Sequence, residues 1–432
     1  MSTVLNQPPT FVPSVFLDAP MWNHAGLPEW FAESQREAWE RFTNLAMPSR
    51  KDEHWRFANL GLLEFDGFRR LPGGEDPGFE GLKETAARVV TVNDAVVVKE
   101  GAEVKGLEVL TLREALGRHG ERLRALLGVP TTGLGGEKFA ALHQAQLADA
   151  VVIVTAAGVE VGAPVEIVHW LTEAQATGFP RTIILAGENS RVTVVEHHVA
   201  AGGGPVWSCG AAQIHAARGA AVNYVQFNGH PEGGKAMHFS TLRSERDAQV
   251  KHAAFQLGSG SVRTEVLSEV AGEGGRSDML SVSLAAGTQE VDQRTLQDHL
   301  SAHTGSDLLY KNILFGKART VFAGLIRVDE GAHYTDAYQK CRNLLLSGEC
   351  EANSMPGLEI NADQVKCSHG STSGRLSEEE VFYLLSRGIP RETAEHMMSL
   401  GFALEVVERL GQPAVEALAV RLLAARLAEI GG

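Results

Sequence analysis

Between residues 150 and 370 the chain offers no convincing helix of twelve or more residues, and short strand-like runs return at a nearly fixed step. "NSRVTVVEHH" begins at Asn189, "GAAVNYVQFN" at Gly219 and "DAQVKHAAFQ" at Asp247, steps of 30 and 28 residues. So long a stretch without helix is unusual for a mixed protein. A period of roughly 20–50 residues built from strands points to stacked coils, as in a β-solenoid, or to propeller blades. One coil cannot bury its own apolar face, so the stack itself must form the core.

The flanks read differently. Residues 27–62 carry Trp30, Phe31, Trp39, Phe42 and Leu45 at helical spacing, interrupted by Pro48. "GFRRLPGGEDPGFEG" reads as a linker. Residues 84–148 mix a strand-like "ARVVTVNDAVVV" with helix-like "LREALGRHGERLRALL" and "EKFAALHQAQLA". After Gly374, Ser377 and Glu380 form a capping box, and "EEEVFYLLSRGI" ends at Gly388. Pro390 and Pro413 then open two more helices, a position where the missing N–H had no partner anyway. The expected organisation is an N-terminal helical region and linker (1–80), a mixed α/β lead-in (81–149), a β core (150–374) and a C-terminal helical domain (375–432). An amphipathic tail usually packs on its own domain, and a partner's groove is the second reading.

Composition excludes some functions. Lys and Arg total 39 against 53 Asp and Glu, a net charge of −14, which argues against nucleic acid as a partner. Cys209, Cys341, Cys350 and Cys367 show no CxxC and no framework spacing, which suits a reducing compartment. The opening "MSTVLNQPPTFVPSVF" lacks the pattern of an export signal. No apolar run approaches the roughly 20 residues that span a bilayer. The expectation is a soluble, cytoplasmic protein with neither nucleic-acid nor membrane partners.

Most short motifs fail on spacing. "GLGGEK" (133–138) lacks the GxxxxGK[ST] phosphate-loop pattern, and "GSGSVR" (258–263) lacks a third dinucleotide glycine. His197 and His198 are adjacent on a strand and face opposite sides, so they cannot chelate one ion. His299 and His303 sit in β-rich surroundings and read as ordinary polar residues, and Cys209 as a buried inert thiol. "DQVKCSHGSTSG" is more informative. Cys367 and His369, two apart on a strand, project from one face, while Lys366 and Ser368 face the other way. Cys341 lies 26 residues earlier, close to one coil, which would bring it beside them as a third N/S ligand. Such donors suit zinc, iron or an iron–sulfur cluster, and three leave a coordination position for a partner chain. A basic neighbour such as Lys366, Lys340 or Arg342 would lower the Cys367 pKa. The ordinary reading is a packing cysteine and a hydrogen-bonded histidine at a strand end.

Several blocks together carry a family resemblance. "FAGLIRVDEGAHYTDAYQ", "NLLLS", "PGLEINADQVKCSHGSTSG" and "VFYLLSRGI", with "PSRKDEHWRFANL" near the start and "FAALHQAQLADAVVIVTAAGVEVGAPVEIVH" at the head of the β region, resemble the SufB/SufD family of iron–sulfur cluster assembly proteins, SufD-type members in particular. The resemblance implies a right-handed parallel β-helix flanked by helical regions. It implies a non-catalytic scaffold subunit that pairs with a SufB-like homologue, binds the SufC ATPase and supports iron delivery and cluster assembly. No tightly bound cofactor is expected in the isolated chain, only iron or a transient cluster shared with a partner.

Three expectations follow for particular residues. Cys367 and His369, with Cys341, supply metal ligands at the heterodimer interface. The end strands near 339–369 pair with the SufB-like chain, or with a second copy when the chain is isolated. Phe382, Leu385, Met397, Phe402 and Val406 present an apolar helical face to the ATPase. Two enzyme readings stay open beside these: a β-helix carbohydrate-active enzyme, for which Asp292 and Asp298 show no paired pattern, and a Cys/His hydrolase using Cys367 and His369.

Overall fold

A computed structural model describes residues 15–20, 24–101 and 103–431. Its core is a β-solenoid of about eight turns. Its strands form two sheets, of 11 and 10 strands among the described residues, and from Arg181 onward successive strands alternate between them, so each strand pairs with the strand two later in sequence. Among the strands from Val151 to Gly374 the pairing is parallel throughout. The strand Ala87–Val92 already pairs in parallel with Val165–Leu171, so the stack begins before residue 150.

The sequence repeats begin where the backbone turns a corner. Asn189, Gly219, Asp247, Gly274, His303, Tyr334 and Gln364 all have positive φ, at intervals of 30, 28, 27, 29, 31 and 30 residues. Asn, Asp and Gly adopt this conformation most readily. Four of these corners are tied to the next coil: the Asn189 N–H donates to the Arg218 carbonyl, Gly219 to Arg246, Asp247 to Glu273 and His303 to His333.

Parallel pairing stacks like positions into columns. Along one column inside the second sheet lie His198, Asn228, Gln256, Ser283, Asn312, Asn343 and Ser373, one polar residue per coil. The Asn228 amide donates to Gln256 at 2.9 Å, and that of Asn312 to Asn343 at 2.8 Å. Near its start lies a buried acid–base group. The Glu196 carboxylate is 2.8 Å from His198 Nε2 and 3.3 Å from His169 Nε2, and accepts from the Tyr224 hydroxyl at 2.7 Å. Opposite the interior amides the packing is close: a Cβ on Gly324 would sit 2.3 Å from Gln339 Nε2.

Helices cover both outer faces. Over the first sheet, Phe16, Phe65, Phe139 and Trp207 pack together, and the Arg263 guanidinium lies 4.0 Å from the centre of the Trp55 ring. Arg263 is fully buried and paired with Glu265 and Asp292. Over the second sheet, the helices Arg391–Val407 and Pro413–Gly431 bury Val406, Val407, Leu418 and Leu423 against Val225, Phe255, Leu309 and Ile313. The Ser377 hydroxyl accepts the Glu380 N–H at the start of the helix Glu378–Ser386, one half of the expected capping box. No helix among the described residues is long and apolar enough to cross a membrane.

The buried titrating groups make the fold acid-sensitive. Burial drives His252 down to about 4 and His230 to about 3, and lowers His198 and His238. Glu196 is costly to bury, yet bonds from His169 and His198 hold its carboxylate well below the usual range. A histidine lowered in the folded state gives stability that is lost as pH falls below its unfolded value near 6.5; the lowered carboxylate loses its share below about 4.5. Thermal unfolding at pH 7.5, 6 and 5 is expected to show a falling midpoint, with His252 alone costing about 2 kcal/mol by pH 5. His252→Gln should flatten that slope; a midpoint unchanged down to pH 5 would contradict it.

Candidate functional site

The solenoid closes differently at its two ends. At the N-terminal end the last positions in the sheets are antiparallel strands, Ala95–Gly101 and Leu107–Thr111, the second followed by the helix Leu112–Arg124. At the C-terminal end the sheets stop at Glu351–Ile360 and Lys366–Gly374, each paired on one edge only. Every residue of these two strands is at least partly exposed. Met355 and Ile360 are among the large apolar side chains left in contact with solvent. Asp336–Leu345, the first part of the expected end-strand region, is paired on both sides, so the free edge begins at Glu351.

Register places the candidate ligands. Cys367 pairs with Ala337, His369 with Gln339 and Ser371 with Cys341. Ala337, Gln339 and Cys341 are fully buried and belong to the inward-facing row. Cys367, His369 and Ser371 therefore continue that inward row on the last coil, where no further coil covers them. The expected shared face of Cys367 and His369 is present. His369 is exposed, and Cys367 is partly covered by Ile326, Val328 and Ala337.

Cys341 does not join them as a neighbour. Its partner is Ser371, thirty residues on, so it is offset from Cys367 by four residues, about 13 Å along the strand. It lies instead one layer beneath the last coil, with its sulfur 3.7 Å from the Asn312 and Asn343 side chains and 3.8 Å from the Ser354 hydroxyl. Among the described residues no group of three His, Cys, Asp or Glu side chains is arranged to hold a metal ion. Cys367 and His369 remain a same-face pair, one thiol and one imidazole, on the last strand.

The thiol electrostatics differ from expectation. Burial raises the Cys367 thiol above its ordinary value; the Ala337 backbone hydrogen bond opposes this and the Asp336 carboxylate adds to it. None of the three bases supplies a lowering charge: Lys340 and Lys366 are exposed on the outward face, and Arg342 pairs with Glu405 at 3.1 Å. Burial pushes Cys341 further, to about 11, against hydrogen bonds with Ser354 and Asn343. Cys209 is fully buried beneath Phe139, with its thiol well above the usual range.

The apolar tail surface divides in two. Phe382, Tyr383 and Met397 are exposed at 70%, 57% and 50%, and Leu385 is half-buried. Val406 is fully buried against the solenoid, and Phe402 packs there with the Lys311 ammonium 4.3 Å from its ring centre. Val406 and Phe402 thus face the protein's own sheet, because Lys311 and Glu405 fix that side of the helix inward. An amphipathic pattern alone does not say which stripe does which.

The rejected motifs are structural. Gly136 of "GLGGEK" faces the Glu265 carboxylate, the wrong charge for a phosphate cradle. His299 bonds to Thr304 and Ser306, and the His303 ring stacks on Tyr334 at 4.7 Å. Asp292 is held by Arg263 and Arg294, and Asp298 by Arg327, so neither is a free acid for glycoside cleavage. Sequence reasoning missed the buried Glu196–His169–His198 group; its one signal was the "EHH" run on an inward-and-outward strand.

Native alkylation should rank the thiols by access and protonation. With iodoacetamide at pH 7.5, Cys341 and Cys209 are expected to stay unmodified while Cys367 reacts slowly, faster as pH rises. Peptide mass spectrometry reads this directly; Cys341 labelling ahead of Cys367 in the folded protein would contradict the geometry.

Comparison with known proteins identifies a family for this chain. Residues 169–402 match the family model "SUF system FeS cluster assembly, SufBD core domain". The chain is 28% identical over 378 residues to the iron–sulfur cluster assembly protein SufD of Escherichia coli K12, covering 86% of this chain and 87% of that one. It is 27% identical over 389 residues to a SufBD family protein of Synechocystis, with 85% and 84% covered. A SufBD family protein of Mycobacterium tuberculosis is 29% identical over 398 residues, with 90% and 89% covered.

Proposed function

This chain belongs to the SufBD family of iron–sulfur cluster assembly proteins, and on that premise we propose that it is a SufD-like, non-catalytic scaffold subunit. Its last coil docks on a SufB-like homologue, and its tail binds the SufC ATPase. The observation that carries the reading is the open C-terminal coil: two strands with unpaired edges, and on their inward row one thiol and one imidazole with no third ligand grouped with them among the described residues.

An unpaired strand edge leaves backbone donors and acceptors that another strand can satisfy. A partner coil continuing the stack would do so and cover Cys367 and His369 in one step. Iron or a nascent cluster is the cargo of this site. The partner supplies the remaining donors, and the two residues here fix one side of it. A thiolate is required for coordination, and the raised Cys367 pKa means that loading releases a proton and strengthens with pH. Keeping the thiol protonated before docking also limits its oxidation in the free subunit.

His369→Ala and Cys367→Ser are expected to leave the heterodimer assembled while iron and sulfide content after reconstitution falls to about a tenth or less. Size exclusion with metal and sulfide analysis separates the two effects, and normal cluster content in both variants would overturn the ligand role.

The tail reading now rests on the exposed patch. Phe382 and Met397, flanked by Glu378, Glu379 and Glu395, are the anchors for the ATPase. Deleting the chain after Gly374 would strip Val406, Leu418 and Leu423 from the solenoid and expose its outer face. A double Phe382→Ser, Met397→Ser variant is the cleaner probe. It should keep the wild-type melting temperature and weaken ATPase capture by more than about 2 kcal/mol, the scale of an interface hot spot; undiminished capture would place the docking surface elsewhere.

A further inference from the structure

The corners that set the coil period begin with Asn189, Gly219, Asp247 and Gly274, residue types that hold a positive φ at little cost. Near the open end the choice changes. Tyr334, with φ +62°, carries the bulkiest side chain of the series, and a large residue in the left-handed region is a backbone outlier. Asn or Gly at this corner would relieve the strain, so the fold by itself does not call for a tyrosine. Strain that a fold retains is a pointer to function.

The tyrosine buries little of itself. It is 52% exposed, stacked on the exposed His303 ring of the coil below, with centres 4.7 Å apart and planes 8° from parallel. The last coil starts directly above it: the Lys366 N–H donates to the Thr335 carbonyl at 2.8 Å, and His333 Nδ1 lies 3.2 Å from the Asp363 carbonyl oxygen. Ile360, 40% exposed, leads the last coil into this same corner from a strand whose outer edge is unpaired. Carboxylates gather here. Glu330, Asp336, Glu359 and Asp363 are exposed, and Asp329 is half-exposed with Arg327 3.6 Å away. Arg327 is also taken by Asp298, and Lys366 is the other cation at this end.

A rigid aromatic ring held out to solvent among charges has the make-up of an interface anchor, with much area to bury and few rotamers to lose. Its position names the occupant. The corner adjoins the unpaired edges of the last coil, so a chain that extends that coil reaches over it. Resting on the scaffold reading above, we infer that Tyr334 anchors the homologous partner at this corner, its ring entering an apolar pocket that Lys and Arg side chains of the partner surround. A basic rim answers the carboxylates here, and complementary charge of this kind selects the partner and its orientation. The strained backbone keeps the ring outward before docking, so no rearrangement is needed on contact.

The test is calorimetric titration of the full-length chain with its SufB-like homologue, beside thermal unfolding of each variant alone. Tyr334→Asn supplies a residue that takes positive φ readily. It should unfold at or above the wild-type temperature, yet bind the homologue about tenfold more weakly or worse. Tyr334→Phe keeps the ring and should bind as the wild type does. Glu330→Lys with Asp363→Lys, both at exposed positions, should weaken binding at an unchanged unfolding temperature. A lower unfolding temperature for Tyr334→Asn would make the His303 stack the reason for the tyrosine and overturn the inference. Undiminished binding by Tyr334→Asn overturns it too, and undiminished binding by the charge-reversed pair overturns the basic rim. A wild-type chain that does not bind the homologue overturns the scaffold reading, and this inference with it.

Discussion

Coil-to-coil register is the constraint from which the rest of this structure follows. Parallel ladders fix each residue against one partner in the coil before and one in the coil after, and a slip of one position turns every side chain to the opposite face. The corners enforce it, because Asn189, Gly219, Asp247 and His303 each donate the backbone N–H to the neighbouring turn. The interior enforces it again. In the column from His198 to Ser373 the amides of Asn228, Gln256, Asn312 and Asn343 find partners only if every coil keeps its count. Buried amides without partners are expensive, so this polar column penalises slipped stacks more sharply than an all-aliphatic core would.

The same rule makes the two faces of each sheet independent. Inward residues pack on the stack, while outward residues on Arg181–Ala186, Trp207–Ala216 and Lys235–Ser244 receive the N-terminal helices, and those on Ala221–Gly229 through Asp336–Leu345 receive the C-terminal ones. Arg263 and Lys311 are the fasteners. One buries its charge among Glu265, Asp292 and the Trp55 ring, and the other reaches Glu405 and the Phe402 carbonyl. Removing a single partner from such a site would strand a buried charge, which is why these contacts decide which stripe of an amphipathic helix faces in.

Much of this was readable from the residues, and the limits have physical causes. Asn189, Gly219 and Asp247 announced the period because they are the residue types that take a left-handed corner at little cost. His303, Tyr334 and Gln364 occupy the same corners without that signature, so the later coils were harder to count. Cys367 and His369 were legible as a same-face pair, since alternation on one strand is local. Cys341 was not: a spacing of 26 looked like one coil, but the local step is 30, and the four-residue difference moves it from beside Cys367 to beside Ser371. Phe402 and Val406 share the apolar pattern of Phe382 and Met397, and only the position of Lys311 on a strand ninety residues away separates them.

The open end gives the proposed assembly its chemistry. Along the stack, an inward residue is buried because a following coil covers it; on Lys366–Gly374 that coil is missing, and the inward row is Cys367, His369, Ser371 and Ser373. These are small or polar side chains, where inner coils place Leu308, Tyr310 and Met279 in the same row. Such a row tolerates water in the free subunit, so the exposed end costs little until it is covered. Continuing the ladder by one coil of a homologous chain would satisfy the strand edges, extend the column past Ser373 and desolvate Cys367 and His369 together. Desolvation would keep the Cys367 thiol protonated until a metal binds, and a partner's donors arriving in the same step would favour the thiolate–metal form. Docking and cargo binding then become one thermodynamically linked event, in which each strengthens the other.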